Sequence, residues 1–285
     1  MVDVASILYS GLASATPLLL ASLGEAVLER SGRVNLGVEG MMALGAASGV
    51  LGGIYSGSPY IGLVVGGLAG MLLAMLYVAG AILLGADQIV VGLVIFFAGT
   101  ALSDVVGSLT HGSPGPSITG APMDPVAFSA LLAVVLAWIL LGRTWVGVEI
   151  RAMGESEEYA RSRGLRVDMI RSILALAAGF AAGVAGAYIS IALHNGRWYS
   201  GITAGWGWIA LGIVILGYWS PPGVAIASAM TGTLLASRTL LAALGLNEAI
   251  ADMTPYLAVL LALGVVSRLA ERVGAKPPSL VWRRE

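Results

Sequence analysis

The chain has 285 residues, a net charge of −1, 58% hydrophobic residues and only 11% charged ones. Soluble domains carry about 25% charged residues, so this composition excludes an ordinary soluble enzyme. It also excludes a disordered chain and a nucleic-acid-binding protein, which needs a basic surface. The lack of cysteine excludes disulfides and thiolate metal sites. We therefore expect an all-α, polytopic membrane protein.

Nine apolar stretches follow one another along the chain, each bounded by charges, prolines or glycine clusters. They are long and continuously apolar, whereas the strands of a membrane barrel alternate in polarity. We predict about nine transmembrane or half-spanning helices in a single transmembrane domain, residues 1–285. A glycine and leucine spacing shared by 40–45 and 207–212 makes an internal repeat a candidate feature. The nine stretches are 5–27, 37–54, 60–84, 88–107, 125–142, 171–193, 203–219, 223–244 and 255–267.

Glycines recur at every fourth position in three of these stretches. In lipid, such small residues let helix backbones approach closely, so we interpret them as packing positions. The alternative is that some of them only kink their helices. The three series are Gly45, Gly49 and Gly53; Gly62, Gly66 and Gly70; and Gly179 and Gly183.

Basic residues predict the orientation, because cytoplasmic loops of membrane proteins are rich in lysine and arginine. The longest polar connection, 143–171, is rich in arginine and is predicted to be cytoplasmic. With nine crossings, the amino terminus then lies outside and the carboxyl terminus in the cytoplasm. This arrangement places thirteen of the fifteen basic residues on the cytoplasmic side of the cell membrane.

The charge order within 143–171 predicts a short helix over 155–163, with acidic residues first and basic residues last. Glu157 and Arg161 stand four positions apart, and Gly164 suits a left-handed stop. A helix this short is unstable alone in water, so the bundle or a partner must hold it. The alternative is a solvated loop whose charges only set the orientation.

Three segments resemble the permease subunits of ATP-binding-cassette importers, in the superfamily of branched-chain amino acid and ribose permeases. Residues 24–42 read GEAVLERSGRVNLGVEGMM, similar to a signature of the simple-sugar and nucleoside branch. Residues 151–165 resemble the cytoplasmic loop of that family. Residues 203–211, TAGWGWIAL, followed by 217–221, GYWSP, resemble a third motif.

The resemblance implies a pore-forming subunit that pairs with an identical or related permease. It implies a cytoplasmic ATPase and an extracytoplasmic substrate-binding protein as partners, with the 155–163 helix as the coupling helix. Ser156 stands at the family's usual asparagine position, and Trp206 stands where the family often carries arginine or a similar polar residue. The coupling residues implied are Arg151, Gly154, Glu155, Glu157, Glu158, Arg161 and Gly164.

The chain itself carries no sequence that could bind ATP as a phosphate loop does. Its single lysine, Lys276, is followed by two prolines, so the G-x-x-x-x-G-K-[ST] pattern is absent. We therefore expect ATP on a partner chain, no cofactor bound by this chain, and no enzymatic activity in it.

Four polar or aromatic residues in the motifs are candidates for the substrate pathway. Asn35 and Glu39 are four positions apart, so we expect them on one helix face, in a glycine-rich interruption of the kind that marks midplane sites. Glu39 has a structural alternative, a hydrogen bond to the start of a neighbouring half-helix. Trp206 and Trp208 could stack on a ligand ring or anchor the helix at the interface.

The other polar residues receive simpler interpretations. We expect Asp87 to cap a helix, and Asp104 could line a vestibule. His111 and His194 have no ligand-like spacing, so we expect no metal site, and no catalytic motif is present.

The function that these patterns favour is the permease of an ATP-driven importer for nucleosides or simple sugars, in contact with membrane lipid and with no nucleic-acid partner. One alternative is a stand-alone secondary transporter with an intramembrane carboxylate such as Glu39 or Asp104. The other is a branched-chain amino acid importer, whose substrate carboxylate would call for helix amino termini or cations.

Overall fold

The computed structural model describes residues 4–119, 124–243, 247, 253–254 and 256–264, and every regular element within them is helical. The predicted coarse fold, an all-helical polytopic membrane protein, is confirmed. The helices are α1 (Val4–Glu29), α2 (Val38–Ser56), α3 (Pro59–Tyr77, continued as a π-helix over Val78–Leu83), α4 (Gln88–Ser108), α5 (Pro125–Arg143), α6 (Trp145–Glu155), α7 (Glu157–Ser162), α8 (Val167–Tyr188, continued as a π-helix over Ile189–Leu193), α9 (Trp206–Leu216) and α10 (Pro221–Ala243).

The predicted count of about nine transmembrane or half-spanning helices is not confirmed. Among the described residues, six helices are long and apolar enough to cross a membrane, namely α1 to α5 and α8. The predicted span 203–219 holds only the 11 residues of α9, which is too short to cross alone. Of the predicted span 255–267, residues 256–264 are helical and the rest lies outside the described residues.

Helix starts follow local capping chemistry. The carboxylate of Asp87 accepts hydrogen bonds from the backbone N–H groups of Ile89 and Val90, which confirms the predicted cap of α4. Asp124 caps α5 in the same way, and its second oxygen accepts a hydrogen bond from the Tyr188 hydroxyl at 2.6 Å. This side chain therefore joins the start of α5 to the end of α8.

Glycines hold α2, α3 and α8 against one another at backbone distance. A Cβ atom on Gly45, Gly66 or Gly183 would lie less than 3.0 Å from an atom of a neighbouring helix. Gly53 differs, since its nearest neighbours would be in ordinary contact with a Cβ. The predicted packing role is thus confirmed at Gly45, Gly66 and Gly183 but not at Gly53.

The chain between α1 and α2 folds back into the bundle, so α2 begins well inside it. The N–H of Val34 donates to the side chain of Gln88 at the start of α4. Farther along, Gly40 packs against Gly99, near the middle of α4. We call residues 30–37 the folded-back segment.

Asn35 lies in this segment and not on α2. Its side-chain oxygen accepts the N–H of Gly37 at 2.9 Å, a local turn that precedes the first residue of the helix. The expectation that Asn35 and Glu39 share one helix face is therefore wrong, because the glycine-rich backbone turns between them.

Candidate transport pathway and coupling segment

A cavity of about 400 Å³ lies between α2, α4 and the chain that leads into α9. Its walls combine two aromatic rings, Phe96 and Trp208, whose centroids are 5.5 Å apart, with several oxygen-bearing side chains. We call it the Glu39 cavity. The oxygen-bearing residues along it include Glu39, Thr100, Ser103, Asp104, Ser200 and Thr203.

Glu39 holds the amino terminus of α9. One carboxylate oxygen accepts the Thr203 hydroxyl at 2.6 Å and the Gly205 N–H at 3.0 Å, and the other accepts the Gly207 N–H at 2.6 Å. No side chain at the cap position of α9 performs this function. A carboxylate at this position both satisfies free N–H groups and favours the positive end of the helix dipole.

The backbone before α9 adopts a strained conformation at the cavity wall. Ala204 has φ 42° and Gly205 has φ 85°, both in the left-handed region. A left-handed residue with a side chain costs about 1–2 kcal/mol, which the hydrogen bonds to Glu39 offset. The cavity wall and the cap of α9 are therefore formed by the same contacts.

The structure separates the four predicted pathway residues. Glu39 and Trp208 both line the cavity. Glu39 also makes the hydrogen bond to the start of a neighbouring short helix that was its structural alternative. Asn35 is fully buried in the folded-back segment, and Trp206 packs against the hydrophobic core. Neither of these two borders the cavity.

Sequence reasoning missed three residues on α4 that line the cavity, Phe96, Thr100 and Ser103. A signal for them exists, because positions three and four apart share one face of a helix. Thr100, Ser103 and Asp104 follow this spacing within an otherwise apolar stretch.

The charged connection forms two helices, α6 and α7, rather than one. The predicted helix over 155–163 is observed as α7, which begins at Glu157 after its cap residue, Ser156. Gly164 has φ 80°, as its predicted left-handed stop requires. The preceding α6 was not predicted, although Thr144 caps it with its side chain.

The residues implied for coupling lie on different sides of this segment. Glu158, Arg161 and Gly164 are exposed, as is Glu155 at the end of α6. Gly154 is buried against the backbone of Arg30. Arg151 donates a hydrogen bond to the carbonyl of Leu141, at the end of α5.

Arg171, which sequence reasoning passed over, joins three parts of the chain at this end of the molecule. Its side chain is only 1% exposed. Two of its nitrogens donate to the Ser31 carbonyl at 3.0 and 2.9 Å, and a third pairs with the carboxylate of Glu157. Arg171 thereby ties the first residue of α7 to the folded-back segment.

Glu157 is the acidic centre of this network. Partial burial alone would raise its pKa, but hydrogen bonds and charges from Arg171 and Arg161 hold the pKa below its ordinary value. Arg161 pairs with Asp168 at 2.6 Å and with Glu157 at 2.9 Å, and these bonds raise the pKa of its guanidinium. The predicted pairing of Glu157 with Arg161 is thus confirmed.

Arg30, the first residue of the folded-back segment, connects that segment to the turn after α9. Its guanidinium donates to the carbonyl of Trp219 at 2.9 Å and to that of Tyr218 at 3.0 Å. These two residues have φ 50° and 53°, so the turn after α9 is left-handed like the turn before it. Neighbouring residues of the folded-back segment, Arg30 and Ser31, therefore contact the α9–α10 turn and the Arg171 network.

The sequence matches the family described as branched-chain amino acid transport system / permease component over residues 7–265, most of the chain. The chain belongs to this permease family. The resemblance stated from the motifs is thereby confirmed. The permease is a multi-pass membrane protein, and it is a transport subunit rather than an enzyme. Its family implies ATPase and substrate-binding protein partners.

Three relatives are similar over most of their length. A putative glucose ABC transporter permease protein of Haloferax volcanii is 35% identical over 276 residues, covering 87% of this chain and 83% of the relative. A guanosine ABC transporter permease protein of Bacillus subtilis is 30% identical over 302 residues, 94% of both chains. A nucleoside ABC transporter permease protein of Lactococcus lactis subsp. cremoris is 30% identical over 244 residues, 76% of this chain and 77% of the relative. No solved structure shows significant similarity.

Proposed function

We propose that this permease imports a nucleoside or a simple sugar through the Glu39 cavity, driven by ATP hydrolysis on a separate subunit. The observation that carries the proposal is the lining of the cavity. Phe96 and Trp208 offer aromatic faces, while Thr100, Ser103 and Asp104 offer hydrogen-bonding oxygens. Such walls suit a neutral, hydroxyl-bearing ring. The names of the relatives support both substrate classes.

The same lining argues against a branched-chain amino acid. An amino acid carries a carboxylate, which needs a cation or a free helix amino terminus. Among the described residues that line the cavity none is basic, and Glu39 already occupies the amino terminus of α9. A ligand without a carboxylate is therefore favoured.

The α6–α7 segment is the proposed contact with the cytoplasmic ATPase. The exposed side of α7 carries Glu158, Tyr159 and Arg161, with Tyr159 58% exposed. On its other side, Glu157 is held by the buried Arg171. A push on α7 would thus reach the folded-back segment as a rigid-body displacement. This proposal includes a cytoplasmic position for 143–171, an outside amino terminus and a cytoplasmic carboxyl terminus.

A second permease subunit, identical or related, and an extracytoplasmic binding protein complete the proposed importer. ATP would bind to the partner ATPase, with no cofactor on this chain. The rival is a secondary transporter that works alone, with Glu39 or Asp104 as its coupling site.

The test is uptake by proteoliposomes that contain the complete importer, with tritiated guanosine, glucose and leucine as separate probes. We expect ATP-dependent uptake of guanosine or glucose, and none of leucine. Uptake by this chain alone would establish the secondary transporter, and uptake of leucine would overturn the neutral-ligand assignment.

A matched pair of tryptophan variants tests the cavity itself. Trp208→Ala removes an aromatic wall of the Glu39 cavity, whereas Trp138→Ala removes a 44% exposed ring on α5, outside both the cavity and the proposed ATPase contact. We expect the first variant to lower uptake about five- to twelvefold, as the loss of stacking worth about 1–1.5 kcal/mol implies. Equal uptake by the two variants would remove the cavity from the pathway.

A further inference from the structure

A second cavity, of about 230 Å³, lies at the other end of α9. The buried carboxylate of Glu29 and the indole of Trp219 line it, and the indole N–H donates to that carboxylate. Gln88 and Ile89, at the start of α4, form part of its wall. We call it the Glu29 cavity.

The two cavities lie along the same helices and are closed off from each other. On α4, the Glu29 cavity reaches Ile89 and the Glu39 cavity begins at Phe96, about 10 Å farther along the axis. Between these levels the folded-back segment packs tightly on α4. Leu36 contacts Gly92, and a Cβ on Gly37 would lie 2.6 Å from the Ile95 side chain.

The Glu29 cavity repeats the chemistry of the Glu39 cavity. Each has a glutamate that accepts a hydrogen bond from α9 or from the turn after it, and each has a tryptophan ring. Among the described residues that line the Glu29 cavity none is basic, and Glu29 forms no ion pair in the described part of the chain.

The polar side chains of the Glu29 cavity can form further hydrogen bonds. Gln88 accepts the Val34 N–H with its amide oxygen, and no hydrogen bond from its NH₂ group is seen within the described residues. The Glu29 carboxylate accepts one side-chain hydrogen bond there, although a carboxylate can accept several. A ligand with hydroxyl groups could donate to Glu29 and accept from Gln88.

We propose that the Glu29 cavity is a second binding site for the same neutral, hydroxyl-bearing molecule, on the far side of the seal formed by Leu36 and Gly37. This proposal rests on the proposed function, in which that molecule passes through the Glu39 cavity. The transported molecule occupies the two cavities in turn as the seal opens. A phosphorylated ligand is excluded, because its charge would face the buried Glu29 carboxylate without a basic partner.

The chain has no cysteine, so a single introduced cysteine reports on one position. Ile89 and Val90 are adjacent on α4 and 51% and 59% exposed, but only Ile89 lines the Glu29 cavity. Ile89→Cys and Val90→Cys are compared in the complete importer, in membrane vesicles open to both faces. A thiol reagent is applied with and without guanosine, glucose or guanosine monophosphate, and labelling of this chain is followed on a gel.

We expect guanosine or glucose to slow labelling of Ile89→Cys about tenfold at ten times the dissociation constant, as mass action requires. Val90→Cys should be labelled at an unchanged rate, and guanosine monophosphate should protect neither position. Adding Glu29→Gln to Ile89→Cys should raise the ligand concentration needed for half-protection.

Thr100→Cys, in the Glu39 cavity, separates the two proposals. Protection of Thr100→Cys without protection of Ile89→Cys overturns the second site and leaves the proposed function intact. Protection at neither position overturns both. Equal protection of Ile89→Cys and Val90→Cys also overturns the second site, because the effect would then not belong to the cavity.

Discussion

At the scale of single residues, one carboxylate serves both the fold and the proposed pathway. Glu39 caps α9 through three hydrogen bonds and also borders the cavity that Trp208 lines. Its two sequence interpretations, a pathway residue and a structural lock, are therefore compatible in geometry. A substitution that keeps the size of Glu39 but removes its charge tests these two roles.

Glu39→Gln is expected to impair uptake far more than Asp87→Asn. The amide replaces one acceptor oxygen by a donor that faces the N–H groups of α9, at a cost of about 1–3 kcal/mol for each buried donor left unsatisfied. Asp87→Asn keeps a good helix cap, because asparagine also accepts hydrogen bonds at that position. Guanosine or glucose uptake by the complete importer measures the difference, and equal uptake by both variants would exclude Glu39 from the pathway.

The Glu157 network gives a pH prediction whose sign follows from its lowered pKa. A carboxylate whose pKa falls on folding stabilises the folded state above its unfolded value, about 4.5, and loses that contribution as the pH drops through the folded value. We therefore expect α7 to stay attached between pH 6 and 8 and to loosen only in acid. Hydrogen exchange of residues 157–162 measures this opening. Glu157→Gln is the control, and its exchange should lack the acid-dependent step.

Some residue roles could be predicted from sequence because the interaction is local. The cap by Asp87, the pair of Glu157 with Arg161 and the stop at Gly164 all act within a few positions of the chain. Arg171 was missed because its partner, Ser31, is 140 positions away. A lone arginine near the start of a span carries no sign of such a contact.

At the scale of helices, α9 shows why an apolar stretch need not form a full membrane span. Its sequence is apolar like that of a full span, yet left-handed residues bound it on both sides, at Ala204 and at Tyr218. Neither alanine nor tyrosine favours that conformation. Tertiary contacts hold it in place, since Glu39 accepts the N–H of Gly205, next to Ala204, and Arg30 donates to the carbonyl of Tyr218. The amphipathic α6 was missed for a related reason, since 11 residues beside a charged run do not resemble a span.

Glycine spacing was the more reliable signal at this scale, and it yields a matched test. A Cβ on Gly45 would collide with the backbone of Gly183, whereas one on Gly53 would make only ordinary contacts. We expect Gly45→Ala to destabilise the permease by about 1–3 kcal/mol through overpacking. Gly53→Ala should be close to neutral.

Thermal unfolding of the detergent-solubilised importer compares these two variants, which lie on the same helix eight positions apart. Equal midpoints would show that the close approach of α2 and α8 is not needed for stability.

At the scale of the whole molecule, a continuous set of contacts joins the exposed α7 to the Glu39 cavity. Glu157 contacts Arg171, and Arg171 holds the carbonyl of Ser31. The next residue back, Arg30, holds the turn at the end of α9, and the start of α9 is held by Glu39. Coupling along this route predicts that changes at its two arginines interact energetically.

A double-mutant cycle at Arg171 and Arg30 tests this route. Arg171→Gln removes the contacts with Ser31 and Glu157, and Arg30→Lys removes the two-carbonyl grip on the α9–α10 turn. We expect each variant to raise the number of ATP molecules hydrolysed per molecule imported, while the binding protein still stimulates the ATPase. If both act on one route, the double variant should be little worse than the more affected single variant, because the second change breaks a connection that is already lost. Arg163→Gln, at an exposed position beside α7, is the control and should leave the ratio unchanged. Effects that multiply in the double variant would show that the two arginines act independently, and the proposed route from α7 to α9 would then be wrong.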